Sequence, residues 1–443
     1  MYAKLKCLLC LCLVALSAQA AETKALVPIH EWQTSNGVRV LWVPLTEQPI
    51  IDIQVLFRAG SAQDGAQFGL ANLTANTLEE GTTHLSADQI AQNFDKVAAQ
   101  YGATASRDAT TLALRSLSTD DYLNPSLETF AALINEANFP QPAVTRVKNE
   151  TLQAIAAQEQ SPDAMALRTF YKNLYGAHPY AHSLLGDKNT VQAITKADVE
   201  NFYKHYYNAS NAVVVIVGNV DETKVQRIAQ QLVGQLPTGE KAPAIPVPTE
   251  LSASKAITVP FPTTQTSIRM GTLGIARLDP DFYSLYVGNY VLGGGSLVSR
   301  LFKDVREKQG LTYSVSSTFV PLQEKGPFAI GLQTQNATRE KAIETVNNTL
   351  NNFIAQGPSE SELSLAKKNI IGSFPLMLSG NANISSAVAI IAFYNLPLNY
   401  LDQYRDRIAA VTLDDINQAI NSHLKGKPFI TVAVTEEDKA THG

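Results

Sequence analysis

Arg306 and Tyr313 stand seven residues apart in LFKDVREKQGLTYSV, residues 301–315, downstream of Gly293-Gly294-Gly295. A guanidinium and a phenol both donate hydrogen bonds. Two such donors at one edge of a cleft can hold a peptide carbonyl or the oxyanion that forms from it. Leu301, Phe302 and Val305 recur at helical spacing, so Arg306 is expected on a helix that stops near Gln309-Gly310. Residues 311–320 are rich in aromatic, hydroxyl and β-branched side chains, which predicts a strand opened by Tyr313. The bland alternative is a surface ion pair for Arg306 and a core position for Tyr313.

Elements that could position this pair need a chain of some size. The protein has 443 residues, comfortable for two or three domains, with 45% hydrophobic and 17% charged residues. The formal charge is −5, and no basic footprint argues for nucleic acid as a main partner. All three cysteines, Cys7, Cys10 and Cys12, fall within MYAKLKCLLCLCLVALSAQA. Lys4 and Lys6, an apolar run to Leu16 and Ala18-Gln19-Ala20 follow the grammar of a secretory signal peptide, residues 1–20. The apolar run is too short to be read as a span, which needs about 20 residues, and no later stretch reads as one. The expected product is exported, and periplasmic if the source is a Gram-negative bacterium. Without cysteine it would hold metal only through His, Asp or Glu.

Along the chain, residues 38–43 and 50–57 read as strands and 69–77 as a helix with Leu70 and Leu73 inward. Ser86 caps a helix expected over 86–101. Strands at 103–108 and 110–116 precede helices at 122–137, 141–158 and 163–175. Thr195 opens a further helix before the apolar strand 212–217. Glu79-Glu80 reads as a solvated helix end. Pro237, Pro243, Pro246 and Pro248 mark residues 237–251 as the interdomain linker between domains at 21–236 and 252–443. The second half echoes the first. Thr195-Lys196-Ala197-Asp198 and Thr412-Leu413-Asp414-Asp415 both open helices that precede apolar strands. An internal duplication of an α+β domain follows, with two similar domains, each a mostly antiparallel sheet covered by helices. Chance similarity of two ordinary helix–strand units is the alternative. Two linked halves suggest a clamshell half with a cleft between them.

Leu292-Gly293-Gly294, Ser299-Arg300-Leu301-Phe302, Val305-Arg306-Glu307 and Gly310-Leu311-Thr312-Tyr313 together resemble the pitrilysin and insulinase-like peptidases, including the mitochondrial processing peptidase subunits. The resemblance spans essentially the whole mature chain. It implies that Arg306, Tyr313 and the glycines 293–295 hold substrate across a cleft. It also implies a zinc motif, H-x-x-E-H, on a first-half helix, with two histidine ligands and a glutamate base. The matching frame here is Gly69-Leu70-Ala71-Asn72-Leu73-Thr74-Ala75-Asn76, followed by Gly81-Thr82. Asn72 and Asn76 stand where the histidines would be and Ala75 where the base would be. A third ligand, a glutamate on the helix 141–158, would fall at Gln153 or Ala154, and neither offers a carboxylate. His178 and His182 are four apart, but Pro179 interrupts a helix and no glutamate completes the set. His30, His84, His205, His423 and His442 are scattered surface or capping residues.

The resemblance therefore implies a non-catalytic, substrate-binding subunit of a heterodimeric zinc peptidase. This chain would bind no cofactor, and zinc would be carried by a homologous partner subunit. The ligands would be peptides or unfolded segments. The alternative is a peptide-binding or assembly protein with no proteolytic role.

Overall fold

The computed structural model describes residues 25–437. The expected leader, residues 1–20, and His442 lie outside the described residues. Among the described residues eleven strands form two sheets. The first sheet contains β1 (His30–Gln33), β2 (Arg39–Pro44), β3 (Ile50–Phe57), β4 (Gln100–Ala105), β5 (Thr110–Leu117) and β6 (Ala212–Gly218). The second contains β7 (Lys255–Pro260), β8 (Gln265–Leu273), β9 (Val315–Phe319), β10 (Pro327–Gln335) and β11 (Ile430–Thr435).

The spatial orders are β1-β2-β6-β3-β5-β4 and β7-β11-β8-β10-β9. In the first sheet β2 runs parallel to β6, and the pairs β6–β3, β3–β5 and β5–β4 are antiparallel. In the second, β7 runs parallel to β11, and β11–β8, β8–β10 and β10–β9 are antiparallel. Apart from the added β1, the two sheets share one topology, as a duplicated α+β domain requires. The repeated helix signal is equally literal. Thr195 and Thr412 each close a capping box, with Asp198 and Asp415.

Strand alternation explains how the halves join. In β6, Val214 and Ile216 face a core formed with first-half helices, whereas Val213, Val215 and Val217 face a core that includes Ile384, Val388 and Ile391. Those three belong to the second-half helix Asn381–Phe393, which packs on β3 and β6. The exchange is reciprocal. The first-half helix Pro162–Tyr175 packs on β8 and β11, and its Ala166, Phe170 and Leu174 cluster with Ile430, Val432 and Val434. Each half thus covers the open sheet face of the other. Most of the cleft suggested between the two sequence halves is filled by this shared core. No single helix among the described residues is long and apolar enough to cross a membrane.

Residues 237–254 contain neither helix nor strand, yet they are strapped down. Asn208 and Asn211 donate to the Glu240 carbonyl at 3.2 and 3.0 Å. The Ala242 amide donates to Asn211 Oδ1 at 2.7 Å, and Glu250 pairs with Lys325 at 2.7 Å. Several boundaries differ from the expected ones. The helix expected over 86–101 is Ala87–Lys96, because Ala98 takes a positive φ of 48° and β4 begins at Gln100. Glu80 is not a solvated end, since Arg146 on the helix Gln141–Gln158 pairs with it. Burial and the neighbouring Glu80 raise the pKa of Glu79.

Candidate functional site

The glycine run grows out of the helix Phe282–Asn289. At Tyr290 the helix widens into a π-helical turn, Tyr290–Gly294, closed where the Gly295 amide donates to the Tyr290 carbonyl at 2.8 Å. A short 3-10 turn, Ser296–Val298, leads to a second π-helical stretch, Phe302–Glu307. Single π turns inside helices are rare and concentrate at functional sites. Arg306 therefore lies on a widened turn rather than the regular α-helix expected. Gly310, with φ +63°, ends it, as the Gln309-Gly310 signal implies.

Tyr313 does not open a strand. β9 starts at Val315, and residues 311–314 form an irregular turn pinned to β10. Thr312 Oγ1 donates to the Gln333 carbonyl at 2.6 Å, and Thr334 Oγ1 donates to the Leu311 carbonyl at 2.6 Å. The pinned turn leaves Tyr313 85% exposed. Arg306 is exposed too. Its guanidinium lies 4.7 Å from the centre of the Phe302 ring and pairs with no carboxylate among the described residues.

Two contacts hold this surface to the fold. Buried Asn289 donates through Nδ2 to the Ser317 carbonyl at 2.9 Å and accepts from Ser317 Oγ at 2.6 Å, which ties the glycine run to β9. Gly293 allows that approach, because a Cβ there would sit 2.4 Å from Ser317 Oγ and 2.6 Å from its backbone nitrogen. Arg300 forms a two-pronged pair with Glu362 at 2.8 and 2.6 Å and donates to the Gly357 carbonyl at 2.9 Å. The guanidinium holds the Glu362 carboxyl down at about 2. Neither Asn289 nor Glu362 stood out in the sequence, because their partners are 28 and 62 residues away.

The first-half motif occupies the helix Leu70–Thr77, packed against Gln141–Gln158. Gly69 enters it with φ +96°, and Asp64 secures the entry by accepting from the Gly69 and Ala71 amides at 2.7 and 2.8 Å. Burial raises the Asp64 pKa to about 7. His182 lies 3.9 Å from it, stacked on Phe68, and burial lowers the imidazole's pKa. Asn72 is half-buried with its Nδ2 buried and unpartnered; Ala75 is buried; Asn76, Gln153 and Ala154 are exposed. This set offers amides and methyls where zinc needs imidazole and carboxylate, so the residues do not fit the metal.

No replacement site lies in the His-Pro-Tyr loop. His178 Nε2 contacts the Pro246 carbonyl at 2.6 Å, and its Nδ1 accepts from the Tyr180 amide at 3.1 Å. Among the described residues, the three-residue cluster with ligand-type atoms close enough for a metal is Asp279, Asp281 and His423, in the other half. There His423 pairs with Asp281 at 3.0 Å as an ordinary interhelical contact.

Residues 39–188 match the family model for insulinase, peptidase family M16, and residues 193–370 match that of the peptidase M16 inactive domain. The chain belongs to peptidase family M16. It is 31% identical to a Helicobacter pylori protein named non-peptidase homolog YmxG, over 88% of this chain and 90% of that one. It is 26% identical to a Bacillus subtilis protein named uncharacterized zinc protease YmxG, over 88% and 94%. The crystal structure of a peptidase M16 inactive domain from Pseudomonas fluorescens superposes with a TM-score of 0.90 at 36% identity, covering 93% of this chain and 98% of that one. It is an M16 homologue without the residues of the zinc motif, in keeping with a non-catalytic role.

Proposed function

We propose that this protein is the non-catalytic, substrate-binding subunit of an exported heterodimeric zinc peptidase. One contrast carries the reading. The helix that would hold zinc presents Asn72, Ala75 and Asn76, while Arg306 and Tyr313 remain exposed, unpaired with acid and held on a braced, glycine-rich surface. An ordinary structural role gives no reason to keep a solvent-facing phenol on a turn fixed by two threonines.

A homologous M16 partner would bring the zinc and the base that activates its water. This chain's own work is binding. Arg306 and Tyr313 donate hydrogen bonds to a peptide carbonyl presented from the partner's side, and the same donors would favour the oxyanion over the ground state. The substrates are peptides or unfolded segments small enough to enter a closed chamber between two subunits. Export, into the periplasm of a Gram-negative source, rests on the sequence of residues 1–20.

The test is cleavage of a quenched fluorescent peptide mixture by the purified chain, alone and with an M16 homologue that carries H-x-x-E-H, with and without chelator. The shared-site reading expects silence alone and chelator-sensitive cleavage in the mixture, lost on Arg306→Ala. Chelator-sensitive cleavage by the chain alone would overturn it. Silence in every mixture would turn the assignment to peptide binding or assembly without proteolysis.

A further inference from the structure

The seam between the two halves holds a cavity of about 570 Å3. That is the size of a small-molecule site, and domain seams are common places for such sites. The first half contributes Arg39 of β2, Arg58 just beyond β3 and Asp108. The strap contributes Lys241, and the second half Gln323 and Asn395.

Three cations therefore face one carboxylate, and that carboxylate is already engaged. Asp108 is 4% exposed. Its Oδ1 accepts from the Tyr180 hydroxyl at 2.5 Å, and its Oδ2 from the Tyr394 hydroxyl and the Gln323 amide, each at 2.8 Å. Arg39 has its own partner, Glu31, at 2.7 Å. Arg58 and Lys241 have no ion-pair partner among the described residues. Arg58 is half-buried and satisfied only by neutral groups. Nη1 donates to Gln323 Oε1 at 3.0 Å, Nη2 to the Phe393 carbonyl at 3.1 Å, and its plane lies 4.8 Å from the Phe393 ring. Burial lowers its pKa, with the Asp108 charge opposing.

The end of the helix Asn381–Phe393 softens this charge without cancelling it. A helix C-terminus carries about half an elementary charge, and Arg39 shares it through the Ala392 carbonyl at 2.9 Å. Asp108 offsets part of the cost of drawing the Arg58 guanidinium out of water but makes no direct ion pair with it, and with Lys241 also at the seam an anion of matching shape would offset more.

We infer that this seam cavity binds a small organic anion bearing a carboxylate or a phosphate, held between Arg58 and the strap residue Lys241. The site is separate from the Arg306–Tyr313 surface and goes beyond the proposed peptidase role. An occupant would touch the first half, the strap and the second half at once, so its binding would stabilise the interlocked fold by linkage.

Citrate and inorganic phosphate are the probes, titrated calorimetrically into the purified chain at low ionic strength, with melting temperature followed in parallel. Saturable binding with a Kd below about 1 mM for at least one probe is expected, with a melting temperature that climbs as the probe is added. Citrate alone would identify a carboxylate ligand, phosphate alone a phosphate, and both the shared anion chemistry. Lys241→Glu, at an exposed strap position, should weaken binding by at least about tenfold. Arg58→Gln should do the same, measured well below that variant's own melting temperature. Lys425→Glu, an exposed charge reversal elsewhere, should leave binding unchanged. No saturable binding of either probe up to about 10 mM, or an equal loss in Lys425→Glu, would overturn the assignment.

Discussion

The helix Leu70–Thr77 and the segment from Phe282 to Tyr313 begin at corresponding places in the duplicated fold, the first after β3 and the second after β8. They have met opposite fates. In the first, Leu70, Ala71, Leu73, Thr74, Ala75 and Thr77 are buried, so packing accounts for nearly every side chain. In the second, the regular helix breaks into two π-helical turns, and Ser296, Leu297, Val298, Arg306 and Tyr313 face solvent. Packing alone keeps a motif helix after its chemistry is gone. It does not keep an exposed Arg and Tyr on a glycine-rich turn.

The sharpest way to break this contrast is Arg306→Ala in the presence of a zinc-bearing partner. Loss of an oxyanion-type donor costs about a hundredfold in kcat, while the melting temperature should stay within about 1 °C of the parent because the side chain is exposed. A matched loss of stability would mean that Arg306 is structural after all. In the other region the effect should reverse. Ala75→Glu places a carboxylate at a position 1% exposed and should cost about 2–4 kcal/mol in urea unfolding. A neutral result would show that the motif helix still has room for its lost base.

Between these extremes lie the braces of the retained surface. Gly293→Ala forces a Cβ against Ser317 and should cost about 1–3 kcal/mol in urea unfolding. Arg300→Ala breaks the pair with Glu362 and should cost about 1–2 kcal/mol at neutral pH. Glu362 has a depressed pKa, so its contribution is present above pH 4.5 and is lost as pH falls through about 2. The wild type and Arg300→Ala should converge in acid.

The motif helix also carries a pH slope. Asp64 has its pKa raised from 3.8 to about 7. Its folded state favours the protonated form, so its contribution to stability is full below pH 3.8 and is lost as pH rises through about 7. Urea midpoints should decline over that window in the wild type, and the decline should flatten in Asp64→Asn. An unchanged slope would remove Asp64 as its source.

Much of this was legible in the chain because it is local. Strand β3 and the helix Gln141–Gln158 fall where alternation and periodicity place them. Thr195 and Thr412 announce their capping boxes within four residues, and the glycine at 310 marks a helix stop. The replacement of imidazole and carboxylate by Asn72, Ala75 and Asn76 needs no structure to read. The residues around Tyr313 suit strand and turn alike, and the structure makes a turn there. Threonine bonds to Gln333 and from Thr334, some 20 residues away, decide between them.

The sequence by itself determined where most helices and strands lie and that imidazole and carboxylate are missing from the motif, since each depends on residue identity at short spacing, whereas the shared strand order is what establishes the duplication it only suggested. The sequence also required that β6, apolar at successive positions, be buried on both faces. Which helix covers the second face was settled only in three dimensions. Asn381–Phe393 reaches β6 from more than 160 residues away, and Pro162–Tyr175 returns the exchange on β11. Apolar area is buried without regard to sequence distance, so the interlocked halves, the gathering of Arg58, Asp108 and Lys241 at one seam and the open face around Tyr313 are properties of the fold and not of any one stretch of chain.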